Sequence, residues 1–441
     1  MTLVSGLCVT DKKAGNMRKP KNASPKDQNR LTRRDFLKST SIATAAAITL
    51  PVAFGPFSII TKKAQAQPPN LNPYRVVVVK DTSAHQGSVI STDITQVMMD
   101  EAIRRYTGML DLSDAYKILF PGINSESTIG IKVNSINTDL STQPGVVEAL
   151  VNGLQNMIVG GNPFPANNII IWDRDTTELQ AAGYTVNTGP TGVRCFGTNE
   201  VGFNTNINLY CAETIQHPSR ILTDYINYHI NFSVLKNAVG AGLTMALKNN
   251  YGCIDMPGDL HGNNCNPGIP AVNQQIRDEL NVVESLFIVD GIFGCTSGGP
   301  MGPPNMIYDG IILGQDRVAV DSIGRTILEE YGCSTLENSV HVDTAAEPPY
   351  NLGTNNLNEI IRVDVDNPSM SVGDLRVNTA DQDSVLLWSA PEYTGHFSVR
   401  RSTEPSFSAY QEIAKTQAHQ YIDRRALRES RRYFYRVVKT W

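Results

Sequence analysis

Apolar residues along the chain fall into short runs separated by stretches with a helical period. Arg75–Val79, Thr128–Asn134, Asn168–Trp172, Ile230–Leu235, a run ending at Asp290 and Ile311–Gly314 read as strands, because largely apolar, β-branched runs suit strands covered on both faces. Ile94–Tyr106 has helical spacing, with Thr92 and Asp93 as candidate caps. Pro144–Met157 has Pro at a first helical position and Val147, Leu150, Val151 and Leu154 on one stripe. Gly242–Lys248, Val272–Leu286 and Arg317–Tyr331 read as further helical segments. The alternation predicts the α/β class: a mostly parallel sheet with helices on both faces and right-handed crossovers. Ala182–Ser219, rich in Asn, Thr and Gly, has no period and reads as an insertion. These elements predict an α/β domain over 67–333 and a polar linker over 334–370. A small all-β sandwich over 371–441 follows.

The last segment has more specific cues. Leu386-Leu387-Trp388 with Pro391, then Phe397-Ser398-Val399-Arg400, then Leu427 ahead of Tyr433-Phe434-Tyr435-Arg436-Val437, resemble strands B, C and F of a fibronectin type III domain. Tyr433 takes the tyrosine-corner position in that resemblance, and the sequence reaches Trp441 without an equivalent of strand G. An uncovered strand edge seeks a partner. The alternating Ile361, Val363 and Val365 are the expected cover.

Composition changes the picture at the N-terminus. Thr32-Arg33-Arg34-Asp35-Phe36-Leu37-Lys38, the mildly apolar run Ser39–Ile60 and Ala64-Gln65-Ala66 read as a twin-arginine export signal over 1–66, with the mature chain starting at Gln67. Pro51, Gly55 and Pro56 interrupt that run, whereas a spanning helix wants about 20 strongly apolar residues. The expected location is therefore periplasmic or extracellular, with the twin-arginine export machinery as a partner and no stable membrane span after cleavage. Beyond residue 66 the chain has 26 Lys and Arg against 40 Asp and Glu, a net charge of −14. An acidic mature chain argues against nucleic acid as a partner. Cys195, Cys211, Cys253, Cys265, Cys295 and Cys333 remain after the signal, none in a C-x-x-C pair, so a cysteine-ligated iron–sulfur cluster is not expected and disulfides are. Cys253 and Cys265 share one Gly- and Pro-rich segment and form the candidate disulfide. Beyond that, the pattern identifies no cofactor.

Candidate chemistry gathers at the C-terminal ends of the expected strands, where open α/β sheets bind ligands. Lys132 and Asn134 follow one strand, Lys236 another, and Lys248 and Asn249 lie in a Lys-Asn-Asn-Tyr-Gly block. Asp173, Asp290 and Asp316 end further strands, and His261 sits in a Gly- and Asn-rich loop. Lys132, Asn134, Lys236, Lys248, Asn249 and Asp316 are candidate ligand-binding residues for a small anion. His261 and Asp290 are candidate acid–base groups, and Asp173, Asp290 and Asp321 candidate ligands of a hard cation. No G-x-S-x-G elbow, phosphate-binding G-x-x-x-x-G-K-[ST] loop or H-E-x-x-H helix occurs, and Gly291, Gly294, Gly298 and Gly299 lack the G-x-G-x-x-G order.

Taken together, these residues resemble the family called domain of unknown function 362. Gly130-Ile131-Lys132-Val133-Asn134 is similar to its G-x-K-x-N strand, and Asn231 through Lys236 to its N-x-P-x-L-K segment. Thr244-Met245-Ala246-Leu247-Lys248-Asn249 with Gly252 is similar to its T-x-A-L-K-N-x-x-G block. His261, Ile288–Gly291, Gly299-Pro300 and Asp316 through Asp321 continue the resemblance, which spans Arg75 to Gly332. It implies an α/β domain but no established reaction. The family segment reads Lys-x-His where this chain has Lys236-Asn237-Ala238, so no histidine role carries over there. Relatives fused to ferredoxin-like modules imply redox work, which this cysteine pattern does not repeat. Two functions remain open: an exported enzyme or cofactor-binding protein that holds an anion at the rim, and a non-catalytic binding protein with a β-sandwich interaction module.

Overall fold

The computed structural model describes residues 71–109, 111–370, 372, 375–390, 395–404, 409–429 and 432–440. The twin-arginine segment and Gln67 lie outside the described residues.

One nine-stranded sheet organises residues 75–366. Its main path uses β1 (Arg75–Lys80), β2 (Ile129–Lys132), β3 (Ile169–Asp173), β4 (Arg194–Gly197), β5 (Tyr228–Ala238), β7 (Val283–Cys295), β8 (Met306–Gly314) and β9 (Ile361–Asp366). The short β6 (Gly242–Thr244) hangs on β5. The spatial order is β9-β1-β8-β7-β5-β2-β3-β4. β8 runs antiparallel to both neighbours, and the other pairs on this path are parallel.

Strand alternation separates two cores, because successive side chains point to opposite faces. Val77, Val79, Ile129, Ile131, Ile230, Phe232, Ile288 and Leu313 pack under α1 (Thr92–Thr107) and α3 (Pro144–Gln155). Val76, Val78, Phe287, Val289 and Ile312 pack on the other face under α6 (Gly268–Glu279) and α7 (Arg317–Glu330). The small α2 (Leu112–Lys117) and α4 (Thr176–Ala181) complete the layers before α5 (Ala246–Asn249), and α8 (Val340–Ala346) follows α7. The sheet and its two helical faces match the expected class. No helix of the described residues is long and apolar enough to cross a membrane.

Several local expectations differ from the structure. Gly242–Lys248 divides into β6 and α5 instead of one helix. Helix α6 begins at Gly268 and ends at Glu279, because the next residue, Leu280, is already extended and leads into β7. That strand continues past Asp290 to Cys295, paired with β8. Within Ala182–Ser219, Arg194–Gly197 adds the last strand of the sheet. The stretch 334–370 supplies α8 and β9, so it is more than a tether. Ile361–Asp366 pairs in parallel with all of β1, from Arg75↔Ile361 to Lys80↔Asp366. Its Val363 and Val365 join the α1/α3 core, and the ladder to β1 occupies the segment expected to cover the C-terminal module.

The C-terminal region forms two antiparallel three-stranded sheets. One is β10 (Arg376–Ala380), β11 (Asp383–Leu387) and β14 (Gln420–Asp423). The other is β13 (Gln411–Thr416), β12 (His396–Ser402) and β15 (Phe434–Thr440). Val372, Leu386, Trp388, Phe397, Val399 and Val437 build a separate small core.

Candidate functional site

The crossovers define where a ligand would sit. After β2 the chain passes through α3 to β3 on one side, and after β5 it passes through α6 to β7 on the other. The adjacent strands β2 and β5 thus flank the switch point, whose C-terminal crevice is the usual ligand position in open α/β sheets. Lys132 ends β2, Asn134 follows it, and Lys236 lies near the end of β5.

These residues meet in a buried polar network. Lys132 Nζ forms an ion pair with Asp173 Oδ1 at 2.6 Å and donates to Val133 O at 2.7 Å and Asn249 Oδ1 at 3.2 Å. The other Asp173 oxygen, Oδ2, accepts from Ser135 N at 2.7 Å and Ser135 Oγ at 2.8 Å. Lys236 Nζ donates to Asn134 Oδ1 at 2.8 Å and Leu140 O at 3.3 Å, and Asn134 Nδ2 donates to Asn249 Oδ1 at 3.1 Å. Lys132 and Lys236 are 1% and 0% exposed, so both ammonium groups have lost nearly all their water. Gly252 lies directly on the pair: a Cβ there would come within 2.6 Å of Lys132 Nζ.

Lysines outnumber carboxylates in this place. Burial, with Lys248 as a second cause, pushes the Lys236 ammonium down to about 8, and burial also lowers Lys248. Lys248 Nζ has the Tyr251 ring 5.4 Å away and, among the described residues, neither a hydrogen-bond acceptor nor a carboxylate partner. Of the three lysines, only Lys132 forms an ion pair with a carboxylate among the described residues, and that carboxylate is Asp173.

The remaining candidates are placed elsewhere. Asp290 is buried and accepts from Gln143 N at 2.8 Å and Ile292 N at 3.1 Å, tying the start of α3 to β7; burial pushes its carboxyl up to about 7. Asp316 is the N-cap of α7, accepting from Val318 N and Ala319 N, and it also holds Thr354 N. Asp321 accepts from Ala246 N at 2.8 Å and Leu247 N at 3.0 Å, which fixes the first turn of α5. Asp316 is thus occupied as a cap. Asp173, Asp290 and Asp321 serve three different segments, and among the described residues no three His, Cys, Asp or Glu side chains gather to hold a metal. His261 is exposed, bonded through Nδ1 to Pro257 O and stacked edge-on against Tyr251 at 5.3 Å, so it borders the Lys248 side without joining the network. Cys253 and Cys265 are free thiols, as are the other four described cysteines. Cys253 Sγ faces Asn250 Oδ1 and Cys265 Sγ faces His261 O, so each is packed against its own turn instead of the other sulfur.

Sequence reasoning missed the amides that extend the network. Asn249 Nδ2 donates to Asn231 Oδ1 and Asn231 Nδ2 to Asn250 Oδ1. Asn250 Nδ2 in turn donates to Asn273 Oδ1, which also accepts from Arg317 Nη1. A polar Asn231 between Ile230 and Phe232 in a buried strand was the available signal, since buried amides need partners. His217 Nδ1 with Asp255 Oδ2 at 2.6 Å is a second missed pair, at the same rim, where Arg174 grips the carbonyls of Ile254 and Asp255. Nothing in the spacing of His217 and Asp255 announces it.

The site is therefore that of an α/β protein with a buried lysine and amide network at the C-terminal ends of β2 and β5. The model of the family described as domain of unknown function (DUF362) matches residues 129–326, from β2 into α7, and that segment contains every member of the lysine network. No curated protein matches the sequence significantly. A crystal structure of a Thermotoga maritima protein is similar at 10% identity with a TM-score of 0.29, covering 54% of this chain and 59% of that one. The present chain therefore spans less than two thirds of that protein.

Proposed function

We propose that this protein is exported by the twin-arginine route and holds a small anionic ligand, of phosphate or carboxylate type, at the switch-point rim. The observation that carries the ligand reading is the charge imbalance of Lys132, Lys236 and Lys248 around a single paired carboxylate, Asp173. Buried charge without a counter-charge is costly, so a site that keeps it is stabilised when an anion arrives. Lys132 and Lys236 are fixed by the amides and supply preset positive charge, while Lys248 is the lysine left to contact the ligand directly. Asp290, whose carboxyl burial pushes up to about 7, and His261, exposed on the approach, are the acid–base groups if the site turns over its ligand. The C-terminal sheets, similar in strand pattern to a fibronectin type III domain, act as an interaction module.

Calorimetric titration of the full chain with inorganic phosphate tests the ligand reading. Saturable binding that weakens with salt is expected, and Lys248→Ala should weaken it about tenfold, which is about 1.4 kcal/mol. Absence of binding, or equal binding by the variant, contradicts it. Sequencing the N-terminus of protein exported by its own host tests the route: Gln67 is expected, and a start near Met1 contradicts it.

A further inference from the structure

Arg174 continues the chain from Asp173, the partner of Lys132, and its backbone N–H donates back to Asp173 Oδ1 at 2.8 Å. Its guanidinium lies over the Phe203 ring at 5.3 Å and grips the carbonyls of Ile254 and Asp255. The loop so held also touches the lysine network, since a Cβ on Gly252 would come within 2.6 Å of Lys132 Nζ and 2.9 Å of Asp173 Oδ1. Pro218 and Ile254 form an antiparallel bridge, so His217 and Asp255 are carried together. Asp255 Oδ1 accepts from His217 N at 2.8 Å and Met256 N at 3.0 Å, which leaves Oδ2 for His217 Nδ1 at 2.6 Å. Burial alone would raise the Asp255 carboxyl, but the hydrogen bonds from His217 and Met256 outweigh it and hold the group below its ordinary value. His217 Nε2 has no partner among the described residues, and the side chain is 22% exposed. No such arrangement holds at His85, which has both nitrogens engaged, at His229 and His341, which are enclosed, or at His261, whose Nδ1 rests on a carbonyl.

We propose that His217, oriented by Asp255, is an acid–base residue of the rim, its Nε2 taking a proton from a hydroxyl of the bound small anion and returning it. This rests on the anion reading above and names the proton carrier. An ionised carboxylate on Nδ1 keeps the ring proton there, so the lone pair is at Nε2, and it stabilises the imidazolium once a second proton arrives. The transfer balances without an oxidant or reductant. The ligand's O–H bond breaks, its electron pair stays on the oxygen, and the proton joins the Nε2 lone pair; the reverse step restores the neutral ring. An ordinary surface ion pair is a single loose contact. Here two N–H groups fix the carboxylate and Arg174 fixes the loop, which is the supporting shell an acid–base group needs.

Histidine labelling tests this on the full chain. Diethyl pyrocarbonate acylates the free lone pair of a neutral imidazole, and peptide mass spectrometry gives the rate at each histidine. His217 should be labelled about ten times faster than His261, although His261 is the more exposed of the two. Exposure alone predicts the reverse order. Saturating inorganic phosphate should slow labelling of His217 severalfold and leave the exposed His419, in the C-terminal region, unchanged. Asp255→Asn keeps an oxygen for the N–H groups of His217 and Met256 but turns an N–H toward Nδ1, which forces the ring proton onto Nε2, so labelling of His217 should slow about tenfold. Labelling of His217 no faster than His261 overturns the proposal, and the wild-type map gives this answer even if the variant does not fold. Fast labelling that phosphate does not slow, in protein that binds phosphate by calorimetry, rejects His217 as the proton carrier and leaves the anion site standing. Where calorimetry finds no phosphate binding, the anion reading falls and the proposal falls with it.

Discussion

The two ends of the parallel strands both bury charge, but they treat it differently. At the end where β7 begins and α7 starts, Arg317 pairs with Glu284, and Asp316 is consumed by the N–H groups of Val318, Ala319 and Thr354. At the opposite end, three lysines face one carboxylate, and Lys248 has none. Matched charge is what folding alone requires, since an unpaired buried ion destabilises the native state. The unmatched rim is the one that points to a ligand. A chain of amides, Asn249, Asn231, Asn250 and Asn273, links the two ends through the interior, so the contrast lies within one hydrogen-bonded system.

The largest expected effect lies at the matched end. Arg317→Met leaves Glu284 buried without its cation and should cost about 3 to 5 kcal/mol by urea unfolding. By comparison, Lys248→Ala should cost less than about 1 kcal/mol, as it breaks no hydrogen bond or ion pair. Equal losses in the two variants would erase the distinction between a structural and a ligand-facing charge.

A pH dependence comes next. Burial pushes Asp290 and Asp321 up to about 7 from an ordinary 3.8, so the folded chain binds more protons than the unfolded chain between those values. The contribution of these two groups is present in full below about pH 4 and is lost as pH rises through 7. Asp290→Asn should therefore flatten the fall of the unfolding midpoint across this window. A variant whose slope equals that of the wild type would show that Asp290 keeps no proton on folding.

The smallest effect concerns Lys236. Its ammonium, pushed down from 10.5 to about 8, burdens the folded chain below that pH, and the burden lifts as pH rises from 8 toward 10.5. An anion bound beside it restores the proton, so phosphate binding near pH 8 should take up protons. Calorimetric heats that vary with buffer ionisation enthalpy would reveal this, and buffer-independent heats would place the anion away from Lys236.

Much of the site was legible from the sequence, for a specific reason. Lys132, Asn134, Lys236 and Asn249 follow or end apolar runs such as Gly130–Val133, and strand ends in an alternating α/β pattern converge on one rim. The roles of Asp316 and Asp321 were harder to read, because an Asp ahead of an apolar helix can serve as a cap or as a ligand, and only the N–H groups it faces decide which. Gly268–Glu279 was misplaced because Leu280, Val282 and Val283 continue an apolar pattern through a break in backbone direction. The alternation of Ile361–Asp366 marked it as a strand, but nothing local told that strand to choose β1 over the C-terminal module. His217 with Asp255, and the separation of Cys253 from Cys265, are tertiary facts without a local signature.

The most direct test is to see where an anion sits. Crystals of the full chain grown without sulfate or phosphate, then soaked in selenate, should show an anomalous selenium peak with an oxygen within about 4 Å of Lys248 Nζ, the reach of an ion pair, on the side toward Lys236. Selenate found only on the outer surface, or beside Arg317 at the opposite end, would contradict the account.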